Sequence, residues 1–201
     1  IRLISVVSLV RVQSPPPFNL SGVDTPFIVL NFGPEVIRAM GGMHCFRAED
    51  LETVGEALDI AEDRTGGHYK YSLAQWKRHR YGVKTLAGLH RHEIAKGPAF
   101  AVLNRYSDPA PLLEQTGRRG DYYSICLQDH RILGAMNRDP RLNLLPLLVY
   151  VFTHELVHIV RFCNFAQRFD IHGEVREREE KVVHATTMEI LKGLSLKQLD
   201  Y

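Results

Sequence analysis

Residues 144–165 read LLPLLVYVFTHELVHIVRFCNF, and the fold turns on how this run is read. It is apolar on nearly every side, which predicts a helix buried in a core. Pro146 falls in the first turn, where its missing N–H breaks no hydrogen bond. Its centre is Thr153-His154-Glu155-Leu156-Val157-His158. Residues four apart on a helix lie one turn apart on the same face. His154 and His158 can therefore present two imidazole nitrogens to one ion, and zinc accepts nitrogen at about 2.0–2.1 Å in tetrahedral geometry. Glu155 is rotated about 100° from its neighbour, the place for a base acting on water rather than for a ligand. Three fixed residues in five positions arise by chance in about one chain in a hundred of this length. The plain alternative is an amphipathic helix with two histidines on a polar edge. This helix offers no such edge, and burying the group without compensation is costly. A bound metal would compensate for it.

A catalytic zinc takes three protein ligands and keeps one position open. Residues 159–164 supply no further histidine, and Cys163, five residues beyond His158, points away from the pair and reads as a packed thiol. The next acidic cluster is Glu174, Glu177, Glu179 and Glu180, opening a last helix expected over residues 174–192. Glutamates in a first helical turn are ordinarily a solvated face that suits the helix dipole. Glu180, His184, Thr187 and Leu191, however, fall at i, i+4, i+7 and i+11, one stripe passing from polar to apolar. Glu180 ranks first as third ligand, then Glu177, then Glu179.

Over residues 144–192 this arrangement resembles the gluzincins, zincin metallopeptidases whose third zinc ligand is a glutamate on a later helix. The run from Glu180 to Leu191 is also similar to the helix of compact intracellular peptidases of that type that cleave repressor proteins, with Thr187 and Glu189-Ile190-Leu191 in the matching places. The resemblance implies Zn2+ held by His154, His158 and Glu180, with Glu155 as general base. It places His184 where those families carry Asp or Asn, from which it can orient a ligand histidine or touch the metal itself. It further implies a tyrosine or histidine donating to the substrate oxyanion, for which His184, Tyr123 and His172 are candidates.

The expected fold is α+β and zincin-like: a small mixed sheet, an active-site helix and a following glutamate-bearing helix. Strands are expected over residues 27–32 (FIVLNF), 99–103 (AFAVL) and 122–127 (YYSICL). Residues 122–128, just before the active-site helix, are the candidate for the strand that edges the cleft. Helices are expected after Pro34, over residues 50–63 and over residues 73–89, where Gly82 and Gly88 interrupt. Residues 108–120 read as a loop, and the stretch after residue 127 as turn-like up to Asp139-Pro140. His90-Arg91-His92-Glu93 has a His-x-His spacing, but Lys96 stands where a second zincin histidine would be needed, so a solvated loop is expected there.

The 201 residues, 45% hydrophobic and 24% charged, suffice for one core. A single catalytic domain is expected over residues 20–201, with residues 1–19 as a disordered leader or non-native extension. The apolar run at residues 3–10 is too short to span a bilayer and lacks a small-residue cleavage site; no other segment reads as a membrane span. A net charge of +2, from 25 basic and 23 acidic residues, makes a nucleic-acid partner unlikely to be drawn by charge, despite Trp76-Lys77-Arg78-His79-Arg80. Cys45, Cys126 and Cys163 show no paired spacing, which suggests reduced thiols and a cytoplasmic protein. There is no phosphate-cradling glycine loop and no nucleophile elbow. The expected function is thus zinc-dependent hydrolysis of a peptide or protein substrate. Its rivals are a zincin-like metal-binding protein without peptidase activity and a DNA-associated protease.

Overall fold

A computed structural model describes residues 43–106, 121–164 and 173–194 in full, and residues 11–13 and 28–29 as backbone strands. In chain order the elements are β1 (Arg11–Gln13), β2 (Ile28–Val29), α1 (Ala48–His68), α2 (Leu73–Trp76), β3 (Tyr81–Lys84), a short 3-10 turn (Leu86–Gly88), β4 (Ala101–Tyr106), β5 (Tyr122–Leu127), α3 (Asp129–Arg138), α4 (Leu144–Cys163) and α5 (Gly173–Leu191). The protein is α+β. Its mixed sheet has the order β1-β4-β5-β3-β2. β4 and β5 run antiparallel, whereas β5 with β3, β3 with β2 and β4 with β1 run parallel.

Strand alternation divides the interior in two. Tyr123, Ile125 and Leu127 of β5 join Ala101 and Leu103 of β4 in the main core, against α1 and α4. Ser124 and Cys126 point the other way, with Val102 and Asn104, toward the segment connecting β3 to β4. α4 lies between the sheet and the helices α1 and α5, and every residue from Leu147 to Val160 is buried. Each large apolar side chain there contributes roughly 1.5–3 kcal/mol over its exposed state, so the helix backbone is held from all sides. By length and composition α4 could cross a membrane, at mean hydropathy 1.4, unlike the expectation that no segment beyond the first residues would qualify; 78% of that span is buried inside the protein. Thr153, mid-helix, satisfies its hydroxyl on the Val149 carbonyl at 2.7 Å.

Several boundaries depart from expectation. The helix expected over residues 73–89 ends at Trp76: the Ser72–Gln75 capping box starts it, but Tyr81–Lys84 is drawn into the sheet between β2 and β5, where pairing outweighs helical propensity. The turn-like stretch after residue 127 is instead α3, which buries Ile132 and Ala135. β5 lies at the sheet's centre, paired on both sides, so its backbone cannot take up a substrate strand as the cleft-edge reading required. The helix expected over residues 50–63 extends to Ala48–His68. Of residues 1–19, Arg11–Gln13 pair with Asn104–Tyr106. The rest of that segment, the helix after Pro34, most of the 27–32 strand and the 108–120 loop lie outside the described residues.

Candidate metal centre

His154 and His158 occupy successive turns of α4, and Glu180 reaches them from α5. Glu180 Oε2 lies 3.4 Å from His154 Nε2 and 3.5 Å from His158 Nε2. One ligand atom from each of the three side chains falls within 4.8 Å of the others. Contacts of 3.4–3.5 Å are long for N–H···O hydrogen bonds. They match the spacing of two ligands on one tetrahedral zinc, about 3.3–3.4 Å for bonds of about 2.0–2.1 Å. His154 is 2% exposed, and neither of its ring nitrogens has a hydrogen-bond partner among the described residues. A buried imidazole without partners is costly, and a metal ion among these donors would remove the cost.

The electrostatics suit the same role. Burial pushes the His154 imidazole down to about 4, although Glu180 pulls the other way. Burial pushes Glu180 up, but His154 and His158 outweigh it and hold the carboxyl at about 2. At neutral pH His154 is therefore neutral and Glu180 ionised, the forms in which both bind metal. Glu155 is fully buried on the same turn of α4 as His154.

The neighbours explain why Glu180, rather than Glu177 or Glu179, lies beside the two histidines. Glu179, the adjacent residue, is held by Arg161 at 2.5 Å, and Glu177 faces solvent. Arg176, one turn before Glu180, lies 4.0 Å from its other oxygen, Oε1. Along α5 the inward residues Val183, Thr187, Ile190 and Leu191 form the apolar stripe that docks the helix and turns Glu180 inward. Glu180 is thus the glutamate that joins the two histidines, a choice that spacing alone leaves open by one turn.

The remaining candidates fall out differently. His184, one turn after Glu180, lies outside the three-residue cluster; its Nδ1 meets the Tyr150 hydroxyl at 2.7 Å. Tyr123 is in the core: its ring stacks on Phe162, which stacks on His158, and its hydroxyl bonds Cys163. One ring, that of Phe162, thus lies between it and His158. His172 lies outside the described residues. Cys163 is a packed thiol that burial pushes up to about 11. Residue reasoning missed Tyr150, buried one turn before His154, whose phenol burial and then the Glu155 and Glu180 charges push well up. The i−4 spacing from His154 was the available signal, masked because Tyr150 sits in a run of apolar residues.

His90-Arg91-His92-Glu93 is not a solvated loop throughout. The histidine rings are exposed and stacked at 5.6 Å, but Glu93 is fully buried on the far face of the sheet from His154, His158 and Glu180. Its carboxylate accepts from Lys84 Nζ and the His90 backbone N–H at 2.8 Å each, and from the Tyr106 hydroxyl at 3.1 Å. A buried lysine opposite a strand partner is what draws it in, and no local pattern reports that. No protein-family description matches this chain, and neither a curated protein nor a solved structure matches it.

Proposed function

We propose that this protein is a zincin-like, zinc-dependent metallopeptidase, with Zn2+ held by His154, His158 and Glu180. The observation that carries the reading is the convergence of these three side chains from two helices at ligand spacing, around a buried histidine with no hydrogen-bond partner among the described residues. Zinc, when bound in such a site, lowers the pKa of a water to about 7 and polarises a carbonyl. In this reading Glu155, the residue after the first ligand, is the general base that would take the proton of the attacking water and pass it to the leaving amine. The apolar walls of α4 exclude bulk water and strengthen each charge interaction in the site. Peptide as the substrate class rests on the resemblance to gluzincins.

A second reading has its own support. His154, Glu155 and His158 are all 2% exposed or less, which suits a metal that props α4 against α5 without turnover. Metal analysis and hydrolysis of an unstructured protein such as casein separate the two. The expected result is about one zinc per chain in the wild type, little in His158→Ala, and full zinc with lost hydrolysis in Glu155→Gln. Wild type with no more zinc than His158→Ala overturns the metal site; zinc without hydrolysis leaves the structural reading.

A further inference from the structure

The net charge of +2 averages two unlike parts of the chain. Residues 64–92 hold seven Lys and Arg and no Asp or Glu, which leaves a net −5 on the rest. Within that segment, the turn from the end of α1 to the start of β3 carries Lys70, Lys77, Arg78 and Arg80 beside a row of rings. The rings follow one another from His68 to Tyr69 at 5.0 Å, to Tyr71 at 5.8 Å and to His79 at 5.1 Å, with Trp76 packed on His79 at 5.4 Å. His68, Lys70, Lys77 and Arg78 are exposed, and Tyr69, Tyr71 and Arg80 are half-buried. The Tyr71 hydroxyl accepts from Asn164 Nδ2 at 2.7 Å, which ties the row to the end of α4.

Two observations set this surface apart from an ordinary solvated face. None of the four cations has an ion-pair partner among the described residues, whereas Arg47, Arg105, Arg141, Arg161, Arg176 and Arg178 each lie within 4.0 Å of a carboxylate. Lys70, at φ 55°, is the only non-glycine residue of positive φ among those described. There α1 closes with the Tyr71 N–H on the Gly66 carbonyl at 2.9 Å and the Lys70 N–H on the Gly67 carbonyl at 3.2 Å, the ending that favours glycine at the place Lys70 takes. A side chain is strained in that conformation. What it supplies here is a cation between the two stacked tyrosines.

We propose that this surface binds single-stranded nucleic acid, with Lys70, Lys77, Arg78 and Arg80 on the phosphates and unpaired bases against His68 and Tyr69 at the outer end of the ring row. Phosphates supply the counter-charge that the four cations lack, and unpaired bases offer π faces to aromatic side chains whatever their sequence. A duplex keeps its bases stacked inside, and an acidic peptide would use the cations but not the rings. The proposal goes beyond the metallopeptidase reading and stands without it.

The test is fluorescence anisotropy of the full chain with labelled oligo-dT and oligo-rU, a mixed-sequence duplex and poly-glutamate, at several salt concentrations. Both single strands should bind, and each more tightly than the duplex or poly-glutamate. With four phosphate contacts, the logarithm of the affinity should fall against that of salt with a slope of about −3. Lys77→Gln/Arg78→Gln should weaken binding at least about 10-fold in low salt and flatten the slope by about 1.4. Tyr69→Leu, which keeps an apolar side chain but no ring, should weaken it about 10-fold at an unchanged slope. Arg91→Gln/Lys96→Gln removes the same charge from the exposed loop after β3 and should change affinity no more than about 2-fold. Urea midpoints check that each variant is folded. Failure of both single strands to bind overturns the proposal, and so do equal losses from the two double variants, which would make the binding a matter of net charge. Tighter binding of the duplex overturns it as well. Poly-glutamate bound as tightly as the oligonucleotides would make the surface one for acidic peptides. None of these outcomes bears on zinc content or casein hydrolysis, so the metallopeptidase reading fails or stands separately.

Discussion

The two faces of the sheet both bury charge, and they do so in opposite ways. On the far face Glu93, Lys84, Tyr106 and Gln128 satisfy one another: Gln128 alone accepts from the Ala95 N–H and donates to the carbonyls of Glu93 and Cys126. Beside it Asp129 accepts from the backbone N–H groups of Phe46 and Leu86. On the helix side His154, His158 and Glu180 approach to ligand spacing, and His154 makes no hydrogen bond among the described residues. A buried network that closes on itself is structure. Buried donors that converge without closing leave room for an ion.

Breaking the closed network should produce the largest stability change. Glu93→Ala leaves Lys84 buried without its carboxylate and should cost about 3–5 kcal/mol in urea unfolding, with zinc content per folded chain unchanged. A loss of zinc alongside would mean that the two faces are not independent.

The open cluster should respond in metal affinity instead. Glu180→Gln should weaken zinc binding more than about 100-fold, a loss of roughly 3 kcal/mol, since ligand removal exceeds the 10–100-fold cost of removing a supporting contact. Glu177→Gln should leave affinity within about 2-fold, because an exposed carboxylate outside the cluster contributes little. Equal effects of the two substitutions on a zinc titration would break the assignment of the third ligand.

The faces should also titrate in opposite senses in metal-stripped protein. Burial raises the Asp129 carboxyl from 3.8 to about 6. Its contribution is therefore fully present below pH 3.8 and lost as pH rises through 6, about 3 kcal/mol in all. His154, lowered from 6.5 to about 4, contributes stability present above pH 6.5 and lost as pH falls through 4. In Asp129→Asn the opposing Asp129 contribution is gone, so stability should fall more steeply than in wild type between pH 6 and pH 4. Parallel unfolding curves across that range would show that Asp129 does not titrate there.

The smallest effect should come from the ion pair beside the cluster. Glu179→Gln removes the partner of Arg161, both part-exposed, and should cost at most about 1 kcal/mol of stability. Zinc affinity should fall only slightly; a fall as large as that of Glu180→Gln would make Glu179 a ligand.

His154, Glu155 and His158 were legible because helix geometry is local: a four-residue spacing on a run buried on every side fixes both their common face and their environment. Ile28–Val29 and β4–β5 were readable as strands for the same kind of reason, from β-branched and aromatic runs. The burial of Glu93 and the central place of β5 in the sheet were not legible in the same way. Whether a glutamate after two exposed histidines is buried depends on a lysine nine residues earlier reaching it, and whether a strand is central depends on partners 16 to 26 residues away in β4 and 42 residues away in β3.

The amino-acid sequence by itself therefore determined an apolar helix carrying two histidines one turn apart with a glutamate between them, because those constraints act within one turn of backbone. The tertiary structure decided which carboxylate joins them, that Tyr150 meets His184, and that the second buried network lies behind the sheet. Those choices depend on how two helices and a sheet dock, and docking is set by the sum of many long-range contacts that no single stretch of sequence contains.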